Sequence, residues 1–148
     1  MKRLFSTLPI LLMSVACEVT VHDHDHANDY TPSVEPILEE APFIEWADAG
    51  CFWSSSERDF VWWFEADVFD SNGFEDVSAV YADVLDWDGQ WIDSFELYQD
   101  YNKQLTWYSD WLELSTWLDC RYPNYLIEFV AYDWLGGMDV LDVVPATY

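Results

Sequence analysis

Apolar and polar residues alternate along much of this chain. Phe60, Trp62, Phe64, Ala66 and Val68 form a wholly apolar set, while Val61, Trp63, Glu65, Asp67 and Phe69 between them are mixed. That period of two predicts a strand with one face in a core. Asp70-Ser71-Asn72-Gly73 supplies a turn. The run from Asp76 to Asp86 is apolar on both parities, as a central strand requires, and Asp86-Trp87-Asp88-Gly89 turns the chain again. Trp91, Phe95 and Leu97 alternate with Ile92, Ser94 and Glu96 in the next strand. Leu105, Trp107 and Trp111 mark another, and Tyr125, Ile127, Phe129 and Ala131 the one after it. Gly136-Gly137 then turns the chain into a last strand over Met138 to Val144. This alternation points Trp62, Phe64, Trp91, Phe95, Trp107 and Phe129 inward, and Trp63, Phe69, Tyr98, Tyr108, Tyr132 and Trp134 outward.

Six or seven such runs, rich in β-branched and aromatic residues and separated by turns every ten to fifteen positions, predict an all-β fold: an antiparallel sandwich of about seven strands. The stretch YLIEFVAYDWLGGMDVLDVV, Tyr125 to Val144, resembles the last two strands of bacterial immunoglobulin-like domains, and SNGFEDVSAVYADV, Ser71 to Val84, resembles their second hairpin. The resemblance implies an immunoglobulin-like sandwich over residues 42–148. Cys51 precedes the first clear strand rather than lying inside the second, so the resemblance does not by itself imply the inter-sheet disulfide of antibody-type domains.

The N-terminus has a different character. Lys2 and Arg3, the apolar stretch Leu8 to Met13, and the small residues Ser14 and Ala16 have the order of a signal peptide over residues 1–16. Ser14-Val15-Ala16-Cys17 resembles the lipobox of bacterial lipoproteins, which implies a lipid on Cys17 and a membrane as partner; a secreted protein with a free Cys17 is the alternative. That family's sorting habits, with Glu18 rather than Asp after the cysteine, favour the outer membrane or cell surface. Residues 17–41 are rich in Glu, Asp, His and Pro without sustained apolar periodicity, and read as a flexible acidic tether. Within it His22, His24 and His26 would point the same way in an extended backbone. They are candidate transition-metal ligands, weighed against a solvated polar linker.

The chain has 29 acidic residues against five basic ones, for a formal net charge of −24. Loss of the first sixteen residues removes Lys2 and Arg3 and makes the charge more negative still. Such a field repels phosphate backbones, so nucleic acid is excluded as a partner, while basic proteins and divalent cations remain. With 51% hydrophobic and 19% aromatic residues the chain nonetheless has the material for a core. With Cys17 assigned to lipid, Cys51 and Cys120 are left as an even pair suited to a disulfide in an oxidising compartment; two separate buried thiols are the alternative.

The expected domain contains no histidine, so neither a Ser-His-Asp nor a Cys-His arrangement can be assembled, and a non-enzymatic role is expected. No cofactor is certain. Calcium is a candidate, because Asp70, Asn72, Glu75 and Asp76 place four oxygen-bearing side chains around one turn; turn-forming acids on a solvated surface are the alternative. Outward rings beside acids, Trp63, Tyr108, Tyr132 and Trp134, are candidate ligand-binding residues. They suit either the anchoring of a protein interface or stacking on sugar faces. The expected function is therefore adhesion or envelope interaction, with a carbohydrate-binding module as the alternative.

Overall fold

The structure, a computed structural model, describes residues 40–147. The signal peptide, Cys17 and the three histidines lie outside the described residues. Seven antiparallel strands follow one another: β1 (Phe43–Ser54), β2 (Asp59–Phe69), β3 (Val77–Leu85), β4 (Trp91–Asp100), β5 (Lys103–Leu112), β6 (Leu126–Asp133) and β7 (Met138–Val143). Among the described residues the only helix is a single 3-10 turn, Glu113–Ser115. The strands form one curled sheet in the order β1-β2-β5-β4-β3-β6-β7.

The curl is centred on β4. Its first part, Trp91 to Leu97, pairs with β3, and its last residues, Tyr98 to Asp100, pair with β5. The inward faces of β1, β2 and β5 are thereby folded over those of β3 and β6. Trp62, Phe64, Ala66 and Val68 of β2, Val80, Ala82 and Val84 of β3, and Ile127, Phe129 and Ala131 of β6 are all buried in one cluster. Phe64 stacks on Phe95 of β4 with ring centroids 4.8 Å apart. The two edges of the sheet meet through the C-terminal residues: Ala146 makes a parallel bridge to Gly50, accepting from the Cys51 N–H and donating to the Ala49 carbonyl, both at 2.9 Å. Ile44 N–H also donates to Asp139 on β7 at 2.8 Å. These bonds occupy part of the outer edge of β1, an edge that would otherwise invite pairing with another chain.

Every connection but the first, where Ser54 holds the β1–β2 turn, is built around an aspartate. Asp70, Asp86, Asp100, Asp119 and Asp133 each accept, through Oδ1, the backbone N–H two residues further on, at 2.7 to 2.9 Å. A carboxylate in that place substitutes for the backbone bond of a turn. Asp133 also accepts from Gly137 N–H, and a Cβ on Gly137 would collide with the Asp133 carboxylate, so glycine is required there.

Two expectations are corrected. The segment before Phe60 is a twelve-residue strand, β1, rather than a lead-in, so Cys51 lies inside a strand and opposite Trp62. Trp91 does not face the core and is 63% exposed. A bulge is the cause: Val84 pairs with Asp93 but Leu85 with Trp91, so Ile92 is the extra residue, packs against the core, and reverses the parity of Trp91. The other rings expected inward, Trp62, Phe64, Phe95, Trp107 and Phe129, are buried.

Cys51 and Cys120 form a disulfide that joins β1 to the loop between β5 and β6. That loop is held further by Glu113, whose carboxylate accepts the Cys120 N–H at 2.9 Å, and by Asp59, which accepts from Leu114 N–H at 3.3 Å. The bridge closes a separation of 69 residues, for which chain entropy gives a stabilisation of about 4 kcal/mol. A Cys51→Ala/Cys120→Ala variant is expected to unfold at a clearly lower urea midpoint, with a larger m-value because its unfolded chain is no longer cross-linked. A midpoint within error of the parent would mean that the bridge adds nothing to stability.

Candidate functional site

The outward face of β1, β2, β5 and the end of β4 carries rings and carboxylates in a fixed pattern. Across β2 and β5, Glu65 is opposite Tyr108 and Trp63 is opposite Asp110, so the two rings occupy one diagonal and the two acids the other. Such diagonal neighbours are within reach of each other for long side chains. The Trp63 indole leans over β1 at Gly50, where a Cβ would lie 3.1 Å from the ring and 2.9 Å from the Ala146 carbonyl. Gly50 therefore lets the indole approach the neighbouring strand closely.

Between these side chains is a cleft of about 210 Å³, lined by Trp63, Glu65, Asp100, Thr106, Tyr108 and Asp110. The Thr106 hydroxyl is engaged, donating to Asp67 at 2.6 Å. Asp100 accepts the Asn102 N–H through one oxygen. Among the described residues no side chain or backbone group donates to Glu65 or Asp110, and the only ion pair is Arg121 with Asp119 at 2.9 Å, on another loop. That guanidinium holds the Asp119 carboxyl below its usual range. A second cleft of about 360 Å³ adjoins the first at Asp110, with Phe52, Val61 and Leu112 as its apolar lining and Glu57 at its edge.

The four candidate ligand-binding rings divide between two places. Trp63 and Tyr108 share the cleft. Tyr132 lies on β6, edge to face with Tyr81 of β3 at 6.3 Å. Trp134 is 72% exposed, but its indole N–H donates to the Glu75 carbonyl at 3.2 Å and its backbone N–H to Asp76, fastening the β6–β7 turn to the β2–β3 loop. These two rings belong to a different part of the surface. Glu65, Asp100, Thr106 and Asp110 had not been singled out. Parity with Trp63 and Tyr108 placed Glu65 and Asp110 outward, but which acid stands beside which ring is a matter of strand register.

Asp70, Asn72, Glu75 and Asp76 are not drawn together around a cation. Among the described residues, no three His, Cys, Asp or Glu side chains converge as a metal site would require. Asp70 is 2% exposed, and its Oδ1 serves the turn. Of the four side chains only that of Asp70 makes a hydrogen bond among the described residues.

In comparisons with known proteins, no family model matches this chain, and neither does any curated protein or solved structure.

The opposite half of the sheet is electrostatically frustrated. Asp83, Glu128 and Asp142 stand directly opposite one another on β3, β6 and β7, a row of three carboxylates. Like charges in opposed positions destabilise a sheet by some tenths of a kcal/mol per pair. Glu128→Gln, in the middle of the row, is expected to raise stability by about 0.5–1 kcal/mol at low salt, with a smaller gain in 1 M sodium chloride, where screening already removes the repulsion. An unchanged melting temperature at low salt would contradict that view of the row.

Proposed function

We propose that this is a non-enzymatic envelope lipoprotein, lipid-anchored through Cys17 at the outer membrane or cell surface, whose β-domain serves as an adhesion or protein-interaction module. The tether of residues 17–41 holds that domain away from the lipid, and multiple acyl chains would exceed the marginal anchoring that one chain provides.

In this reading the curled sheet is an immunoglobulin-like sandwich. The strand order supports it, because β1-β2-β5-β4 followed by β3-β6-β7 reproduces the ABED and CFG sets of the constant-type domain. Tyr125 supports it independently. It immediately precedes β6, the counterpart of strand F, and its hydroxyl accepts the backbone N–H of Asp119, six residues upstream, at 3.0 Å. A tyrosine at that corner, bonded back to the chain, is a hallmark of such domains. Burial holds its hydroxyl above the usual tyrosine range, so it stays neutral in this role.

The observation that carries the functional reading is the open cleft on the β2–β5 face, with rings on one diagonal and unneutralised carboxylates on the other. Rings provide rigid contact area, and acids select for positive partners and raise association rates. A carbohydrate-binding module is the alternative, since Trp63 and Tyr108 could stack on sugars.

The two readings separate in one experiment, in which the full chain is titrated against bacterial and host polysaccharides and against basic proteins, with tryptophan fluorescence as the readout. Saturable binding to a basic protein that weakens steeply between 50 and 500 mM salt, and that is lost in Tyr108→Ala, is expected. A response to a polysaccharide instead would transfer the conclusion to glycan binding. For the anchor, Cys17→Ser is expected to move the protein from the detergent phase to the aqueous phase on phase separation; an unchanged distribution would rule out the lipid.

A further inference from the structure

We propose that the Trp63–Tyr108 cleft is an arginine pocket. It takes the guanidinium of an arginine in an extended basic segment of the partner, and the adjoining cleft takes an apolar side chain two residues along. The inference rests on the protein-interaction reading above and names what that surface recognises.

Four observations lead to it. The polar groups the cleft leaves open are the carboxylates of Glu65, Asp100 and Asp110, which outnumber the Trp63 indole N–H and the Tyr108 hydroxyl beside them, and the Thr106 hydroxyl is already donating to Asp67. Ionised carboxylates only accept hydrogen bonds, whereas a sugar hydroxyl both donates and accepts; a guanidinium has five N–H donors and no acceptor. Secondly, the rings supply flat faces beside the acids. A guanidinium is planar and weakly hydrated, stacks on an indole or phenol, and can fork onto a carboxylate, which an ammonium cannot do.

Thirdly, spacing extends the site. Going down the outer face of β2 and β5, the rows are Glu65 with Tyr108, Trp63 with Asp110, and Val61 with Leu112. Rows on one face of a strand repeat at roughly 7 Å, the interval between residues i and i+2 of any extended peptide. The polar cleft lies at the first two rows and the apolar cleft, with Phe52, Val61 and Leu112, at the third. An Arg-x-Leu sequence laid along the strands would therefore place one side chain in each.

Lastly, the chain is poor in competing cations. Lys and Arg occur only at Lys2, Arg3, Arg58, Lys103 and Arg121, and among the described residues none of them pairs with a carboxylate of the cleft.

The test is calorimetric titration of the full chain at pH 8 with three capped tripeptides: Arg-Ala-Leu, Lys-Ala-Leu, and citrulline-Ala-Leu, which keeps the shape of arginine without its charge. The arginine peptide is expected to bind about tenfold or more tightly than the citrulline peptide, and several-fold more tightly than the lysine peptide. Asp110→Asn should weaken the arginine peptide about tenfold. Asp142→Asn, which removes the same charge from β7 on the other half of the sheet, should change it less than twofold, and Trp63→Phe should retain partial binding. Circular dichroism establishes that each variant is folded.

Equal affinity for arginine and citrulline, or for arginine and lysine, overturns the assignment. So does equal weakening by Asp110→Asn and Asp142→Asn, which would mean that only the overall field attracts the peptide. If the peptides fail while a basic protein still binds in a Tyr108-dependent way, the pocket is wrong and the interaction module stands. If the basic proteins fail too, both are wrong.

Discussion

Trp62 is where the two halves of the curled sheet are held together. Its side chain is fully buried, lies nearly parallel to Phe64 at 6.3 Å, and meets the edge of Tyr125 at 5.7 Å. Phe64 passes the contact on to Phe95, and Phe95 to Trp111. Rings drawn from β2, β4, β5 and the residue just before β6 thus form one continuous series of contacts. Burying such rings removes a large apolar area from water, and their ring-to-ring contacts add about 0.5–1.5 kcal/mol per pair beyond that area. The series also bears a cost: among the described residues the Trp62 indole N–H has no hydrogen-bond partner, and a buried donor left unpaired costs about 1–3 kcal/mol. The sheet has to curl for the series to form, and β4 has to divide its pairing between β3 and β5 for the sheet to curl.

The acidity has a structural explanation as well as an electrostatic one. Five aspartates are turn residues whose carboxylates hold backbone N–H groups, and Asp59, Glu113 and Asp139 tie loops or edges together in the same way. Such acids cannot be exchanged for lysine without losing an acceptor. Others, including Glu65, Asp110 and the Asp83–Glu128–Asp142 row, have no structural partner among the described residues and add repulsion. The charge is therefore of two kinds: the second is wholly free to meet a ligand, whereas a turn acid such as Asp100 has one oxygen engaged.

Much of the fold was legible because alternation is local. The Phe60–Phe69 pattern, the Asp-initiated turns at Asp70 and Asp86, and the last two strands all occur where their residues place them. β1 escaped notice because its middle, Ala47-Asp48-Ala49-Gly50, has few large apolar residues, and an irregularity between Ile44 and Trp46 interrupts the period. Trp91 was misplaced because a bulge cannot be read from the alternation it breaks. The cleft was half legible. Trp63 and Tyr108 are outward on parity alone, but their partnership depends on β2 pairing with β5 across more than forty intervening residues. Trp134 was identified as outward, yet nothing local to it tells that its indole is engaged by Glu75.

The C-terminal latch has a kinetic side. β1 is the first strand to be synthesised, but its second half finds its outer neighbour only when Ala146 arrives, and Cys51 waits for Cys120. Contacts so distant in sequence are slow to form, since loop closure must precede any gain from pairing. A nascent chain lacking its last few residues would keep β1 partly open. Such a chain completes its fold late, once its last residues and an oxidant for the two cysteines are both at hand.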